Sequence, residues 1–305
     1  MKLCPLCESS NAEFIENVDR KSLITLYKKL TGKSFNNLLD RKIEFYCCAS
    51  CSLKYFYPLI VGNEAFYESL QLIDWYYMAD KAEYQFAKKY LKKGDVVLDV
   101  GCGKGAFAEY LKDLDAQFIG LEFSAKACEL AQEKGVNVEQ GSIQDYADAN
   151  PESVDIVTSF QVIEHVSCVK SFFEAKLQVL KPGGKMIITV PSEDSFLSLV
   201  TNGALNMPPH HVSRWSDNVF FYLAERYDIN LVEIYHEPLQ EIHKKFYLNT
   251  FAHNLFMKPK LIDSSLKRKF VSVFSKLLVK ILEKRFSSPM LPNGHSVVAV
   301  YCKKI

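Results

Sequence analysis

The sequence predicts an α/β fold, a parallel sheet covered by helices, and three observations predict it. From Asp95 onward short apolar runs alternate with helical patterns, as strand–helix–strand units require. The first run ends in a turn, VVLDVGCGKGAFAEYL, whose glycines at 101, 103 and 105 lead into a helical pattern. Two late β-rich runs, 229–236 and 295–302, finish the series.

Along the chain, residues 1–60 form a small module with two cysteine pairs and a helix from Asp19 to Leu30, ended by Thr31-Gly32. Residues 61–94 read as a helical lid or linker, rich in aromatics (Phe66, Tyr67, Trp75, Tyr76, Tyr77, Tyr84, Phe86) and stopped by Lys93-Gly94. Residues 95–305 make the main domain. Its strands are predicted at Val96–Val100, 118–121, 137–139, 155–159 and 185–190, and its helices near 105–113, 124–134, 169–180 and 216–226. The stretch at about 238–293 is longer than an ordinary connection and reads as a helical insertion before the last strand.

Composition sets the class. With 48% hydrophobic and 24% charged residues, the 305-residue chain has the apolar material for a folded core. A net charge of +1 gives no global reason to expect nucleic acid. The N-terminal MKLCPLCESS has no apolar leader, and no run reaches the roughly 18 apolar residues of a membrane span; a cytoplasmic location is expected. Nine cysteines in such a setting point to thiols or metal ligands rather than disulfides.

A G-x-G turn after a strand lets the main chain approach a ligand because no Cβ intrudes, and the helix that follows presents free N–H groups. Gly101, Gly103 and Ala106 also fit G-x-G-x-x-G/A, so a nicotinamide or flavin enzyme competes here, beside a plain turn with no ligand. Glu122, at the end of the second predicted strand, suits the hydroxyls of an adenosine ribose in either enzyme. Asp99 separates the two, because a carboxylate there holds an ammonium group and repels a pyrophosphate.

Four segments, VLDVGCGKG, LEFS, VDIVTSFQVIEHV and LKPGGKMIITVP, follow one another within residues 84–191. As a set they resemble the successive motifs of the class I S-adenosylmethionine-dependent methyltransferases. The resemblance implies a Rossmann-like seven-stranded sheet of order 3-2-1-4-5-7-6, with only strand 7 antiparallel. It implies that Gly101 and Gly103 approach the methionine and ribose portions of S-adenosylmethionine, with Cys102 between them in the binding turn. Asp99 would neighbour the amino group, Glu122 would take the ribose diol, and Phe123 would lay its flat apolar face on the adenine. Ser142 stands where the family often has an Asp that reaches the adenine amino group, and the Ile143 amide would supply the remainder. Phe160 and Gln161 would border the methionine and the transferred methyl, or simply pack the strand end.

Methyl transfer needs an acceptor lone pair in line with the S–CH3 bond and exclusion of water. A hydroxyl or activated-carbon acceptor gains from a general base, for which His is best tuned. Glu164-His165, after the fourth strand, suits a base, a metal ligand or a helix cap. The loop MPPHHVSRWS follows the fifth strand, on the carboxyl edge where ligands bind in such sheets. A similar Pro-Pro-His-His element occurs in methyltransferases of bacterial surface-glycan and related small-molecule pathways, which implies His211 or His210 as the acceptor-side base, with a purely loop-fixing role as the alternative. Ser216 is expected to cap the next helix, and Arg214 to clamp an acceptor phosphate or carboxylate or to form an exposed salt bridge.

Cys4-Pro-Leu-Cys7 and Cys48-Ala-Ser-Cys51 each have the spacing that places two thiolates on adjacent corners of a tetrahedron. A structural zinc site of Cys4, Cys7, Cys48 and Cys51 is expected, with Cys47 as a substitute for Cys48 and four unligated thiols as the alternative. The long gap between the pairs adds little closure entropy. Glycan-type methyltransferases carry similar pairs followed by Leu-x-x-Phe-x-Pro, here Leu53, Phe56 and Pro58, and usually place Gly where this chain has Glu8 and Ser52. Cys102, Cys128, Cys168 and Cys302 read as small hydrophobes.

Between Lys258 and Arg285 nine Lys or Arg stand against two acids, a local charge of +7. Across 268–286, Phe270, Phe274, Leu277, Leu278, Ile281 and Leu282 recur at helical spacing. The pattern permits peripheral membrane contact or a phosphorylated acceptor; a helix packed on the domain, or on a second subunit of a homo-oligomer, is the favoured reading. The expected function is S-adenosylmethionine-dependent methylation, at oxygen or carbon, of a small molecule such as a sugar, nucleotide-sugar or lipid-linked glycan. An RNA methyltransferase with an N-terminal zinc module and a catalytically silent scaffold are the competitors.

Overall fold

The computed structural model describes residues 2–71, 73, 81–284 and 292–305. Trp75, Tyr76, Tyr77, Arg285 and Phe286 lie outside the described residues. The N-terminal sheet consists of β1 (Ala12–Val18), β2 (Ile43–Cys48) and β3 (Lys54–Tyr57), paired antiparallel. Helix α1 (Arg20–Thr31) joins β1 to β2. It starts where Asp19 accepts the Ser22 N–H at 3.3 Å and stops where Gly32 takes φ 74° and donates to the Lys28 carbonyl, the ending that Thr31-Gly32 predicts. Leu23 and Tyr27 bury its inner face against Phe35, Ile43 and Phe56. Two short helices, α2 (Glu64–Gln71) and α3 (Ala82–Lys88), occupy the predicted linker.

The large sheet contains β4 (Val96–Val100), β5 (Gln117–Glu122), β6 (Val138–Gln140), β7 (Val154–Phe160) and β8 (Leu180–Pro191). After β9 (Ser213–Arg214), which joins the other sheet, come β10 (Asn230–Pro238) and β11 (Asn293–Cys302). The order is β10-β11-β8-β7-β4-β5-β6, with β11 antiparallel to both neighbours. This is the predicted 3-2-1-4-5-7-6 order, a Rossmann-like fold. Strand alternation builds its two cores. Leu98, Val157, Ile188 and Ala299 face one core with Phe172, Phe173 and Phe220 from α6 (Val169–Val179) and α7 (Asp217–Arg226). Val97, Ile156, Ile187 and Val298 face the other, with Phe86 and Phe107.

Helix α4 (Ala125–Gln132) matches its expectation, whereas the segment after Gly105 is a 3₁₀ helix, Ala106–Leu114. Helix α5 (Ile143–Ala149) was not anticipated; Ser142 caps it by accepting the Asp145 N–H at 3.0 Å. The predicted module boundary near residue 60 is crossed by pairing. β3 pairs with β9, and the Phe56 N–H donates to the Val212 carbonyl at 3.0 Å. Cys4, Leu6, Tyr46 and Tyr55 also share the core of the large sheet.

The insertion holds α8 (Glu241–Asn254) and α9 (Leu266–Leu282), packed through Leu248, Ala252 and Val279. On the domain side this agrees with the favoured reading, but the contact is narrow. Only Ser275 and Val279 of α9 are buried, while Leu266, Phe270, Val273, Phe274, Leu277 and Ile281 form an exposed apolar stripe. No described helix is long and apolar enough to cross a membrane.

Candidate functional site

A cavity of about 1610 Å³ opens where the loops leave β4, β5 and β7. A pocket for a single small ligand measures about 300–1,000 Å³, so there is room for a cofactor and an acceptor. Gly101, Cys102, Gly103, Glu122, Phe123 and Ile143 line it, as do Phe160 and Gln161. The glycines differ in what they permit. A Cβ on Gly101 (φ 76°) would stand 2.6 Å from Val162 Cγ2, whereas one on Gly103 (φ 55°) would meet nothing within 4 Å. Gly103 therefore presents bare main chain to open space.

Glu122 is fixed by the main chain around it. Its Oε2 accepts the Gly103 N–H at 3.0 Å, and Oε1 accepts those of Phe123 at 2.8 Å and Ser124 at 3.0 Å. A carboxylate offers about four acceptor sites, so one remains for a ligand hydroxyl. Accepting from both hydroxyls of a diol requires one main-chain bond to be released. Phe123 is 68% exposed and free to stack, while Phe160 is wedged edge-on against Tyr84, ring centres 4.7 Å apart. Gln161 adopts φ 60°, a strained value for a side-chain-bearing residue; its N–H bond to the Thr189 carbonyl and its amide bond to Ser296 Oγ hold it there.

Two expected cofactor residues are not in the wall. Asp99 alternates away from Leu98 and Val100, is buried, and accepts a 2.8 Å bond from Thr158 Oγ1; burial pushes its pKa up to about 6. Ser142 is spent on its helix cap. Besides Glu64, Glu68, Glu122 and Glu164, two further carboxylates line the cavity: Glu83, paired with Lys81 at 3.7 Å, and Glu237, which burial pushes up to about 7. Neither was anticipated. For Glu83 the available signal was an acid in the first turn of the helix preceding β4; for Glu237 there was none.

The three candidate histidines converge. Ring centres are 4.5 Å apart for His165 and His210, 4.8 Å for His165 and His211, and 4.4 Å for His210 and His211. The main chain ties their segments together through the Val212 N–H and the Glu164 carbonyl at 2.9 Å. Burial pushes His165 down to about 4, against the pull of the His210 and Gln161 carbonyls, and lowers His210 and His211 well below the usual range. Each is therefore a weaker base than free imidazole. Glu164 is buried beside them and pushed up to about 8.

Arg214 makes a salt bridge, with Glu193 at 3.7 Å, but a buried rather than an exposed one. It is buried, donates from Nε and Nη2 to the Asn206 carbonyl at 3.1 and 2.7 Å, and lies over the rings of Phe45 and Phe56. It pins the histidine loop to the N-terminal sheet. Ser216 sits at the start of α7 without a side-chain cap; Asp194 Oδ2 accepts the Asp217 N–H instead, at 2.7 Å.

The four expected zinc ligands form one cluster, with Cys4 Sγ 3.6 Å from Cys51 Sγ and Cys7 Sγ 3.4 Å from Cys48 Sγ. Zinc–sulfur bonds of about 2.3 Å in a tetrahedron place sulfurs about 3.8 Å apart, so the residues fit the ion. Cys47 is outside the cluster; its Sγ faces the carbonyls of Cys48 and Ser52. Glu8 (φ 60°) and Ser52 (φ 63°) take the left-handed turn after each pair, their N–H groups bonding the Cys4 and Cys48 carbonyls at 2.9 Å. Ser52→Gly should relieve about 1 kcal/mol of left-handed strain, seen as a higher midpoint in urea unfolding; a lower midpoint would contradict the knuckle geometry.

Residues 98–188 match the family model described as a methyltransferase domain. The chain is 38% identical over 99 residues to a ubiquinone biosynthesis O-methyltransferase of Serratia proteamaculans, covering 30% of this chain and 41% of that protein. It is 30% identical over 164 residues to the like-named protein of Pectobacterium atrosepticum, covering 47% and 65%. It thus spans less than two thirds of each relative. A solved SAM-dependent methyltransferase from Archaeoglobus fulgidus shares the fold, with a TM-score of 0.51, 19% identity, and coverage of 73% of this chain and 92% of that one. Residues 98–188 are thus similar to a methyltransferase domain, and the chain shares the fold of a solved SAM-dependent methyltransferase.

Proposed function

We propose that this chain transfers a methyl group from S-adenosylmethionine to an oxygen or carbon of a small-molecule acceptor. The observation that carries this reading is Gly103, its bare main chain bonded to Glu122 and facing a cavity large enough for a second molecule. The turn at 101–103, Glu122 and Phe123 would hold the cofactor, with Ile143 and Phe160 enclosing it. When bound, the sulfonium supplies an electrophilic methyl group. The chain's own residues exclude water and orient the acceptor. Its hydroxyl-binding groups are Glu83, Glu164, Glu237 and the three histidines, a polar lining suited to a sugar, nucleotide-sugar or lipid-linked glycan. Transfer to oxygen is favoured over carbon by relatives named as O-methyltransferases.

Titration calorimetry with S-adenosylmethionine tests the cofactor, and transfer of labelled methyl to a panel of sugars, nucleotide-sugars, lipid-linked saccharides and phenols tests the acceptor. A folded protein without cofactor affinity would sink the reading.

A second reading concerns the exposed stripe of α9. Lys267, Lys269, Lys276, Lys280 and Lys284 accompany its apolar residues, so a second copy docked there would oppose like charges, whereas an anionic bilayer meets both features. Phe270→Ser with Phe274→Ser should weaken sedimentation with phosphatidylglycerol vesicles by at least about tenfold. Equal binding to phosphatidylcholine vesicles, or a solution dimer abolished by the same pair, would overturn it.

A further inference from the structure

We propose that His165, His210 and His211, with the carboxylate of Glu164, form a second metal site, for a first-row divalent cation of the zinc class. His165 Nδ1 lies 2.6 Å from the His210 carbonyl and His210 Nδ1 lies 2.7 Å from the Leu205 carbonyl. His211 Nδ1 lies 3.2 Å from the side-chain oxygen of Asn206. An oxygen of this kind accepts and does not donate, so each Nδ1 carries the proton, and Nε2 is the nitrogen of each ring that could face an ion. Metal-binding histidines are oriented in this way, through the nitrogen that does not touch the ion.

Two of the rings share a neighbour. Nε2 of His165 and of His211 stand 3.8 and 4.0 Å from the same atom, Glu164 Oε1. Both Glu164 oxygens are buried and have no hydrogen-bond partner among the described residues. At 3.8 and 4.0 Å the Glu164 carboxyl, with or without its proton, is too far from either imidazole nitrogen to hydrogen-bond, so its buried oxygens are left unsatisfied among the described residues, an arrangement that a bound cation would relieve. One ligand atom from each histidine lies within 4.8 Å of the others, and metal–nitrogen bonds of about 2.1 Å require them to draw together by roughly 1 Å. Imidazole and carboxylate donors suit zinc, cobalt(II) or iron(II).

The four cysteines leave no coordination position open. The histidine cluster instead lines the cavity, where its ion can take an oxygen of the acceptor. That anchoring role rests on the methyl-transfer reading; the metal site itself does not.

Full-length protein equilibrated with Co²⁺ separates the two sites by spectrum. Thiolate-bound cobalt gives strong sulfur-to-metal charge-transfer bands, and a histidine-bound ion gives only weak d–d bands. The expected result is a class of the second kind saturating at one ion per chain, bound more than tenfold more weakly in His211→Ala and in Glu164→Gln, with thiolate bands unchanged. His211→Gln serves if His211→Ala does not fold. Only thiolate-type cobalt in the wild type, or undiminished second-class binding in folded variants, would overturn the proposal. Cofactor calorimetry on the same samples keeps the readings apart, because a protein that binds the second ion but no S-adenosylmethionine refutes methyl transfer and leaves the metal site standing.

Discussion

Cys51→Ser is expected to lower the melting temperature by at least about 10 °C and to abolish stoichiometric zinc. A structural zinc ion contributes about 10–16 kcal/mol in small peptides, comparable to or above the 5–15 kcal/mol that holds a whole domain folded. Even a net loss of about 5 kcal/mol shifts the midpoint by this much, at roughly 2–4 °C per kcal/mol for a chain of 150–250 residues. Without a cation the cluster is poorly placed: burial pushes Cys7 up to about 12, while the hydrogen bond between Cys4 and Cys51 raises Cys51, burial adding to it, and pulls Cys4 down to about 6. Zinc binding therefore expels protons, and affinity should fall as the pH drops.

The damage should not stay local. β3 leaves the Cys48–Cys51 turn and pairs with Ser213 and Arg214, two residues beyond His211. Loss of the ion should loosen the histidine loop together with the N-terminal sheet. Plasma mass spectrometry for zinc, thermal melts and near-ultraviolet dichroism check this. A wild-type protein without zinc, melting at the same temperature as Cys51→Ser, would refute it.

The sheet was legible because its central strands are apolar on both faces and its first turn needs glycine; α1 was legible from its caps. The resemblance supplied the strand order. β9 was not legible, since Ser213-Arg214 has no periodicity and is extended only because β3 pairs with it. Ser142 could have been read as a cap from the Asp three residues on, and Asp99 as turned from the wall by the alternation of Val-Leu-Asp-Val. Amphipathicity in α9 was visible, but no sequence says which face of a helix finds a partner. The convergence of His165 with a pair 45 residues later depends on the hydrogen bond between Glu164 and Val212, and the burial of Glu83 and Glu237 is likewise a tertiary result.

Gly103→Ala is expected to weaken S-adenosylmethionine binding about 100-fold, equivalent to about 2.7 kcal/mol, while costing the fold only about 1–2 kcal/mol of left-handed strain. The new methyl group meets no protein atom within 4 Å; it projects into the space proposed for the cofactor and blocks approach to the main chain. Gly101→Ala makes the contrast. There the methyl group would lie 2.6 Å from Val162 Cγ2 and 3.1 Å from Cγ1, so Val162 must shift, and with it the turn that carries Glu164 and His165. That variant should lose stability and binding together. Calorimetry with parallel thermal melts distinguishes the two patterns. Wild-type cofactor affinity in folded Gly103→Ala would mean that nothing approaches the main chain at this turn, and the site would have to be sought elsewhere.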